Sequence, residues 1–133
     1  MIIKAFISTM EQLIPTLIIA GRIIFGGYWI YSGLMHFMGL EALSGYAGMK
    51  GVPQPKLAVA LTGALIFLAG LAILLGVYIE WATLALVVFL VPVTFVMHNF
   101  WTASDPNARM MDMAMFFKNI ALLGASLILL AIA

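Results

Sequence analysis

The chain has 133 residues, of which 65% are hydrophobic and 8% are charged, and its net charge is +1. A compact soluble domain of this size needs a more polar surface than six basic and five acidic side chains provide, so most apolar residues are expected to face lipid. The balanced, unclustered charge excludes a nucleic-acid binder. The absence of cysteine excludes disulfides and thiolate metal sites.

Four apolar stretches are long enough to cross a bilayer, and they cover residues 14–38, 57–79, 81–100 and 113–133. Continuous apolar runs of about 20 residues indicate helices, because the strands of membrane barrels alternate in polarity and are about half as long. The sequence therefore predicts an all-α integral membrane four-helix bundle that forms a single domain over residues 1–133. The first stretch exceeds the apolar core of a signal peptide, so we expect it to be retained.

One face of the first predicted helix carries Arg22, Gly26, Trp29, Gly33 and His36, which recur at intervals of three or four residues. This spacing predicts the inner face of the helix. The two glycines suit close packing against another helix, which we favour. As an alternative, they leave room for a flat ring beside Trp29.

Arg22 is the only fixed charge within the first predicted span. An arginine keeps its charge in a protein, so it must pair with a carboxylate or reach water. Glu80 and Glu11 are the available carboxylates near the same side of the membrane. We predict a structural ion pair, with Arg22 and Glu80 as candidate partners.

The connections 39–56 and 102–112 lie on one side of the predicted bundle, here called the loop side, and both termini lie on the other, the terminus side. The loop side carries three basic residues, Lys50, Lys56 and Arg109. The terminus side carries Lys4, and this bias predicts that the loop side faces the cytoplasm. The expected location is a bacterial inner membrane.

Polar side chains collect at the loop-side end of the predicted bundle, although an unpaired polar group inside a membrane is costly. The candidate ligand-binding residues are His98, Trp101, Arg109, Lys118, Asn119 and Trp29, with Asp112 or Asp105 as the counter-ion. The alternative is that these side chains only reach the lipid head groups. We favour that alternative for His36 and Asp105. Lys118 favours a site, because it lies about two turns inside the fourth helix.

Most of the ten methionines also lie on the loop side. Thioethers with imidazoles bind copper(I), and two histidines at similar depth, His36 and His98, form a possible axial pair for haem. No metal-ligand spacing accompanies them, so we interpret the methionines as adaptable packing residues and predict neither a copper nor a haem site.

Several segments carry a family resemblance, and they are Ser32–Leu34, Tyr46–Ala47, Gly51–Pro53, Gly70–Gly76, His98–Trp101 and Phe117–Gly124. Together they resemble the DoxX family of small four-span membrane proteins over nearly the whole chain. The chain departs from the family pattern at His36, where a lysine is common, and near Ile66, where the family often has a glutamate. Chemistry that needs that glutamate is therefore in doubt for this chain.

The family takes its name from a subunit of a thiosulfate:quinone oxidoreductase, and other members resemble partners of bacterial membrane redox enzymes. The resemblance implies a role near the quinone pool, with quinone as the candidate cofactor and His98, Trp101, Arg109 and Lys118 as site positions. Three hypotheses follow: a quinone-linked oxidoreductase subunit, a non-catalytic accessory subunit of a larger complex or homo-oligomer, and a small-molecule transporter. The residues do not decide whether the chain is an enzyme.

Overall fold

The protein is described here from a computed structural model that covers residues 1–133. Its helices are α1 (Ile2–Met38), α2 (Leu40–Met49), α3 (Pro55–Leu75), α4 (Ile79–Met97) and α5 (Pro106–Ile132), with a short 3₁₀ turn at Phe100–Thr102 between the last two. There are no strands. Four of the helices, α1, α3, α4 and α5, are long and apolar enough to span a membrane. The prediction of an all-α membrane bundle is confirmed.

The helix boundaries show how the hairpin on the terminus side is built. Gly76 ends α3 in a left-handed conformation (φ 72°), and Tyr78 precedes α4 with φ 49°. The predicted second span runs to Ile79, whereas α3 ends at Leu75, because this left-handed turn stops the helix while the sequence remains apolar. The turn reverses the chain within three residues.

Helix α2 lies within the predicted loop-side connection 39–56. Its ten residues include two glycines, so it is too short for a membrane span and has little intrinsic helix preference. It packs against α3 and buries Ser44 and Ala47. Tertiary packing therefore stabilises α2, and the helix covers the loop-side end of the bundle.

Helices α1 and α3 pack with their backbones in contact. A Cβ added to Gly26 would lie 2.8 Å from the carbonyl oxygen of Gly70, and one added to Gly33 would lie 2.7 Å from that of Gly63. The buried residues of α1 are Gly26, Trp29 and Gly33, which confirms the predicted inner face. The backbone of α3 fills the space beside the glycines, so the alternative of a flat ring in that space is wrong.

The core is centred on Trp29, which is 2% exposed and packs edge-on against Phe25, Tyr28 and Phe89. It belongs to a cluster from α1, α3 and α4 whose other buried members are Ile66, Ala69, Ile73, Ala82, Leu86 and Leu90. Helix α5 packs against α4. The helices α1 and α5 thus flank a central α3–α4 hairpin.

Helix α1 is much longer than its neighbours. It has 37 residues, or about 55 Å, whereas the 21 residues of α3 cover about 31 Å. Arg22 lies against Gly76 at the end of α3, so residues 2–21 extend beyond the α3–α4 turn. Every residue of this segment, here called the N-terminal arm, is exposed. The predicted first span begins at residue 14, but the helix begins at Ile2.

Candidate functional site

A cavity of about 660 Å³ lies between the helices and extends to the loop-side end of the bundle. Most of its lining is apolar. The side chains with polar atoms in its wall are Tyr28, Trp29, Ser32, His36, Tyr46, Thr62, His98, Lys118 and Asn119. A volume of this size, with a few polar groups in an apolar wall, is typical of small-molecule sites.

The cavity also reaches the outer surface between α3 and α4. Leu65 and Val88 both line the cavity, and both are exposed large hydrophobic residues. Val96, further along α4, has the same two properties. The cavity therefore has a lateral opening on an apolar surface.

Four of the six predicted ligand-binding residues line the cavity, namely Trp29, His98, Lys118 and Asn119. Trp101 does not, because it follows the end of α4 and packs edge-on against Phe100 and Phe116. Arg109 does not either, since it lies in the exposed first turn of α5. The structure thus brings together four candidates from α1, the end of α4 and the interior of α5, and it leaves out Trp101 and Arg109.

Two polar side chains in the cavity wall have no partner within the protein. The Trp29 indole Nε1 is buried and has no hydrogen-bond acceptor. Asn119 is 5% exposed, and its side-chain amide forms no hydrogen bond with another residue. A buried polar group left unpaired costs about 1–3 kcal/mol. The Asn119 amide offers a bound molecule a group that both donates and accepts, whereas the Trp29 N–H is enclosed by its neighbours and is reached only if they shift.

Lys118 lies beside Asn119 on α5 and contacts α1. Its Nζ is 3.5 Å from the Met115 sulfur and 5.9 Å from the centre of the Tyr28 ring. No carboxylate pairs with it. The proposed counter-ions have other partners: Asp105 caps α5 by accepting a hydrogen bond from the backbone N–H of Ala108, at 2.9 Å, and Asp112 binds residues of α2 and α4. Neither carboxylate therefore pairs with Lys118, whereas Asp112 lies beside His98, another of the predicted site residues.

The partners of Asp112 form a cluster at the loop-side end of the cavity, here called the Asp112 cluster, which comprises Tyr46, Lys50, His98, Asn99 and Asp112. The Tyr46 hydroxyl donates to Asp112 Oδ1 at 2.7 Å, and Lys50 Nζ donates to Oδ2 at 3.0 Å. Lys50 also donates to Asn99 Oδ1 at 2.6 Å, and His98 Nδ1 lies 3.4 Å from Asp112 Oδ1. The cluster ties α2, the end of α4 and α5 together.

Within this cluster, Tyr46 of α2 and Lys50 at the end of α2 have raised pKa values. Burial raises the pKa of Tyr46, and its hydrogen bond to the Asp112 carboxylate adds to the effect. Burial acts to lower the pKa of Lys50, but its interactions with Asp112 and Tyr46 outweigh burial, and the pKa is raised. At neutral pH Lys50 is therefore a cation and Tyr46 is a neutral donor.

Tyr46 and Lys50 are site residues that sequence reasoning missed. In the sequence, Lys50 is recognisable only as a charge that orients the bundle, and Tyr46 only as part of the family resemblance. Their spacing of four residues places both on one face of a helix, which is the available signal. That signal has meaning only once the connection is known to be helical.

His36 also lines the cavity, and its Nδ1 is 2.8 Å from the carbonyl oxygen of Ser32, one turn earlier in α1. His36 is therefore part of the cavity wall, and its contact with the lipid head groups stays a prediction.

The predicted ion pair between Arg22 and Glu80 is not formed. The ion pairs in the structure are Lys50–Asp112, Lys56–Glu41 and His98–Asp112. The Arg22 guanidinium lies against Gly76, where α3 ends. The C-terminal end of a helix carries partial negative charge from its last carbonyl groups, and this charge favours a cation beside Gly76.

The fold and the cavity define a small helical membrane protein with an internal, mostly apolar cavity. The model of the DoxX family matches residues 17–99, more than half of the chain, and the chain belongs to the DoxX family. The match ends before α5, which contributes Asp112, Lys118 and Asn119 to the site. No curated protein and no solved structure matches the chain.

Proposed function

We propose that the protein binds the ring of a quinone in the cavity and acts as a quinone-linked subunit of a membrane oxidoreductase. The observation that carries this proposal is the unpartnered Asn119 amide, beside Lys118 and His98, in the wall of an apolar membrane cavity. A quinone is a flat apolar ring with carbonyl acceptors, and each carbonyl needs a donor when the ring leaves water. The DoxX membership adds a family in which quinone chemistry is known.

The Asp112 cluster gives the proposed site a source of protons. Reduction of a quinone takes up electrons and protons in equal number. In this proposal, a partner redox enzyme of the membrane supplies the electrons. His98 lines the cavity and its Nδ1 lies beside Asp112, so this side chain is in position to pass a proton to the ring.

Tryptophan fluorescence tests the binding proposal directly. The chain has three tryptophans, so Trp81→Phe with Trp101→Phe leaves Trp29 as the only reporter. A soluble short-chain ubiquinone added to this variant in nanodiscs should quench the emission with saturation. Asn119→Leu should weaken the apparent affinity about tenfold or more, because one carbonyl then lacks its partner.

Two matched variants control this experiment. Trp29→Phe with Trp101→Phe leaves only Trp81, which is 71% exposed at the other end of the bundle, and its quenching should not saturate. Ser126→Ala changes another buried polar residue of α5 that does not line the cavity, so it should leave the affinity unchanged. Equal, unsaturable quenching of Trp29 and Trp81 would rule out the site and favour an accessory or transport role.

We further propose that the protein lies in a bacterial inner membrane with its loop side in the cytoplasm. The support is the excess of lysine and arginine in the two loop-side connections. Because the chain has no cysteine, single substitutions report sidedness. Ala133→Cys should react with an impermeant maleimide in intact spheroplasts, whereas Ser104→Cys should react only after lysis. Labelling of Ser104→Cys in intact spheroplasts, with labelling of Ala133→Cys only after lysis, would show the opposite orientation.

A further inference from the structure

The N-terminal arm, residues 2–21, has no packing partner in the structure. All of its residues are exposed, and it starts where the α3–α4 hairpin ends, at the contact between Arg22 and Gly76. At 1.5 Å per residue, the arm extends about 30 Å beyond that turn. The rest of the molecule therefore leaves a helix of nearly membrane-spanning length uncovered.

The arm is amphipathic. Its apolar half carries Ile3, Ile7, Met10, Ile14 and Leu17, which recur at alternating intervals of four and three residues. The opposite half carries Lys4, Ser8, Glu11 and Gln12, and its large apolar residues are Ile2 and Ile19. With Phe6, Leu13 and Ile18 flanking the first set, the apolar surface covers about half of the helix circumference.

We propose that the arm lies along the bilayer surface on the terminus side, with its apolar half at the boundary between head groups and acyl chains. Amphipathic helices with a broad apolar face and few charges bind at this depth. The arm is continuous with a membrane-spanning helix at the level of Arg22, which holds it against the bilayer. Pro15 lacks the backbone N–H that would bond to the Glu11 carbonyl, and Gly21 has no side chain, so the helix is least stiff at these two positions.

The length of α1 excludes a straight crossing of the bilayer. A helix of about 55 Å fits a hydrocarbon core of about 30 Å only with a tilt near 60°, beyond the observed range of roughly 0–40°. Helix α3 packs along α1 and matches the core without such a tilt. A straight arm would instead expose ten large apolar side chains to water.

A second copy of the chain fits the arm less well than a membrane does. A coiled-coil seam is a narrow stripe of two apolar residues per heptad, and it becomes specific over three to four heptads. The arm contains fewer than three heptads, and its apolar face is wider than a seam. The membrane surface covers the whole of that face.

Spin labels on single cysteines test this proposal, because the chain has no native cysteine. Labels at positions 7, 8, 10 and 12 (Ile7→Cys, Ser8→Cys, Met10→Cys and Gln12→Cys) are compared in nanodiscs of phosphatidylcholine and phosphatidylglycerol. We expect labels 7 and 10 to collide with oxygen dissolved in the lipid, and labels 8 and 12 to collide with water-soluble nickel chelate. All four positions are exposed, so the labels should not disturb the bundle.

Two results would overturn the proposal. Nickel accessibility at all four positions would show that the arm projects into water. Dipolar broadening between the labels of two copies, at position 7 or at position 10, with protection from both reagents, would show pairing with a second copy. A label at position 31 (Tyr31→Cys), on an exposed part of α1 within the bundle, calibrates the lipid signal. None of these readouts depends on quinone binding, so this inference and the proposed function are tested separately.

Discussion

Asp112 is the residue on which the loop-side end of the bundle depends. Its side chain is 11% exposed and receives hydrogen bonds from Tyr46 and Lys50, while His98 lies nearby. A buried carboxylate is tolerated when its charge is paired and its lone pairs are satisfied, and both conditions hold here. Residues that are 14 to 66 positions apart in the chain thus share one carboxylate.

Removing this charge should destabilise the protein far more than removing an exposed one. Asp112→Asn leaves Lys50, 16% exposed, without its ion-pair partner, and we expect a loss of about 3 kcal/mol. Glu41→Gln breaks the Lys56–Glu41 pair, whose side chains are 63% and 82% exposed, and should cost less than about 1 kcal/mol. Thermal unfolding in detergent compares the two variants. Equal losses would show that the Asp112 cluster is not a stabilising unit.

The raised pKa values of Tyr46 and Lys50 predict how stability changes in alkali. Their ordinary values are 10.0 and 10.5, and the folded state holds both protons more tightly than the unfolded state does. The stability that these two bound protons give the folded state is fully present below about pH 9, and it is lost as the pH rises through the folded-state pKa values. The unfolding temperature should therefore fall steeply above about pH 10.

A double variant identifies the groups responsible for that alkaline loss. Tyr46→Phe with Lys50→Met should be less stable at neutral pH and should show a flatter decline above about pH 10. Tyr31→Phe with Lys4→Met, both at exposed positions, provides the matched comparison. An unchanged decline in the first double variant would assign the alkaline transition to other groups.

At the scale of the elements, the backbones of α1 and α3 approach each other directly at two pairs of glycines. Gly26 and Gly70 face each other, and Gly33 faces Gly63. In lipid, such close approach replaces the hydrophobic driving force that packs helices in water. The face of α1 that makes this contact was predictable, because glycines at helical spacing are visible in the sequence and indicate close helix packing.

An alanine at Gly70 should separate these two helices. Its Cβ would lie 2.7 Å from both the carbonyl oxygen of Gly26 and the backbone nitrogen of Ile30, which are atoms that a rotamer change cannot move. We expect a loss of about 1–3 kcal/mol. Gly27→Ala is the control, because no atom lies within 4 Å of the added carbon and alanine favours the helix. Thermal unfolding of both variants should give opposite signs.

At the scale of the whole molecule, composition and apolar run length were enough to predict four membrane helices. They could not predict the partners of Asp112, because Tyr46 and Lys50 belong to a helix that only tertiary packing stabilises. The same limit explains Arg22: its place beside Gly76 depends on where the left-handed turn ends α3. A sequence-based prediction of ion pairs assumes that each charged side chain pairs with an opposite charge. The C-terminal end of a helix also stabilises a cation.

If the cavity binds a quinone as proposed, the lateral opening between α3 and α4 sets which part of that molecule the protein contacts. Leu65 and Val88 lie at that opening, and their exposed surface faces the acyl chains of the bilayer in the proposed orientation. An isoprenoid tail attached to a bound ring would leave through this gap and remain in lipid. The protein would then discriminate among quinones by their ring substituents, while tails of different length would make the same contacts beyond the first few carbons.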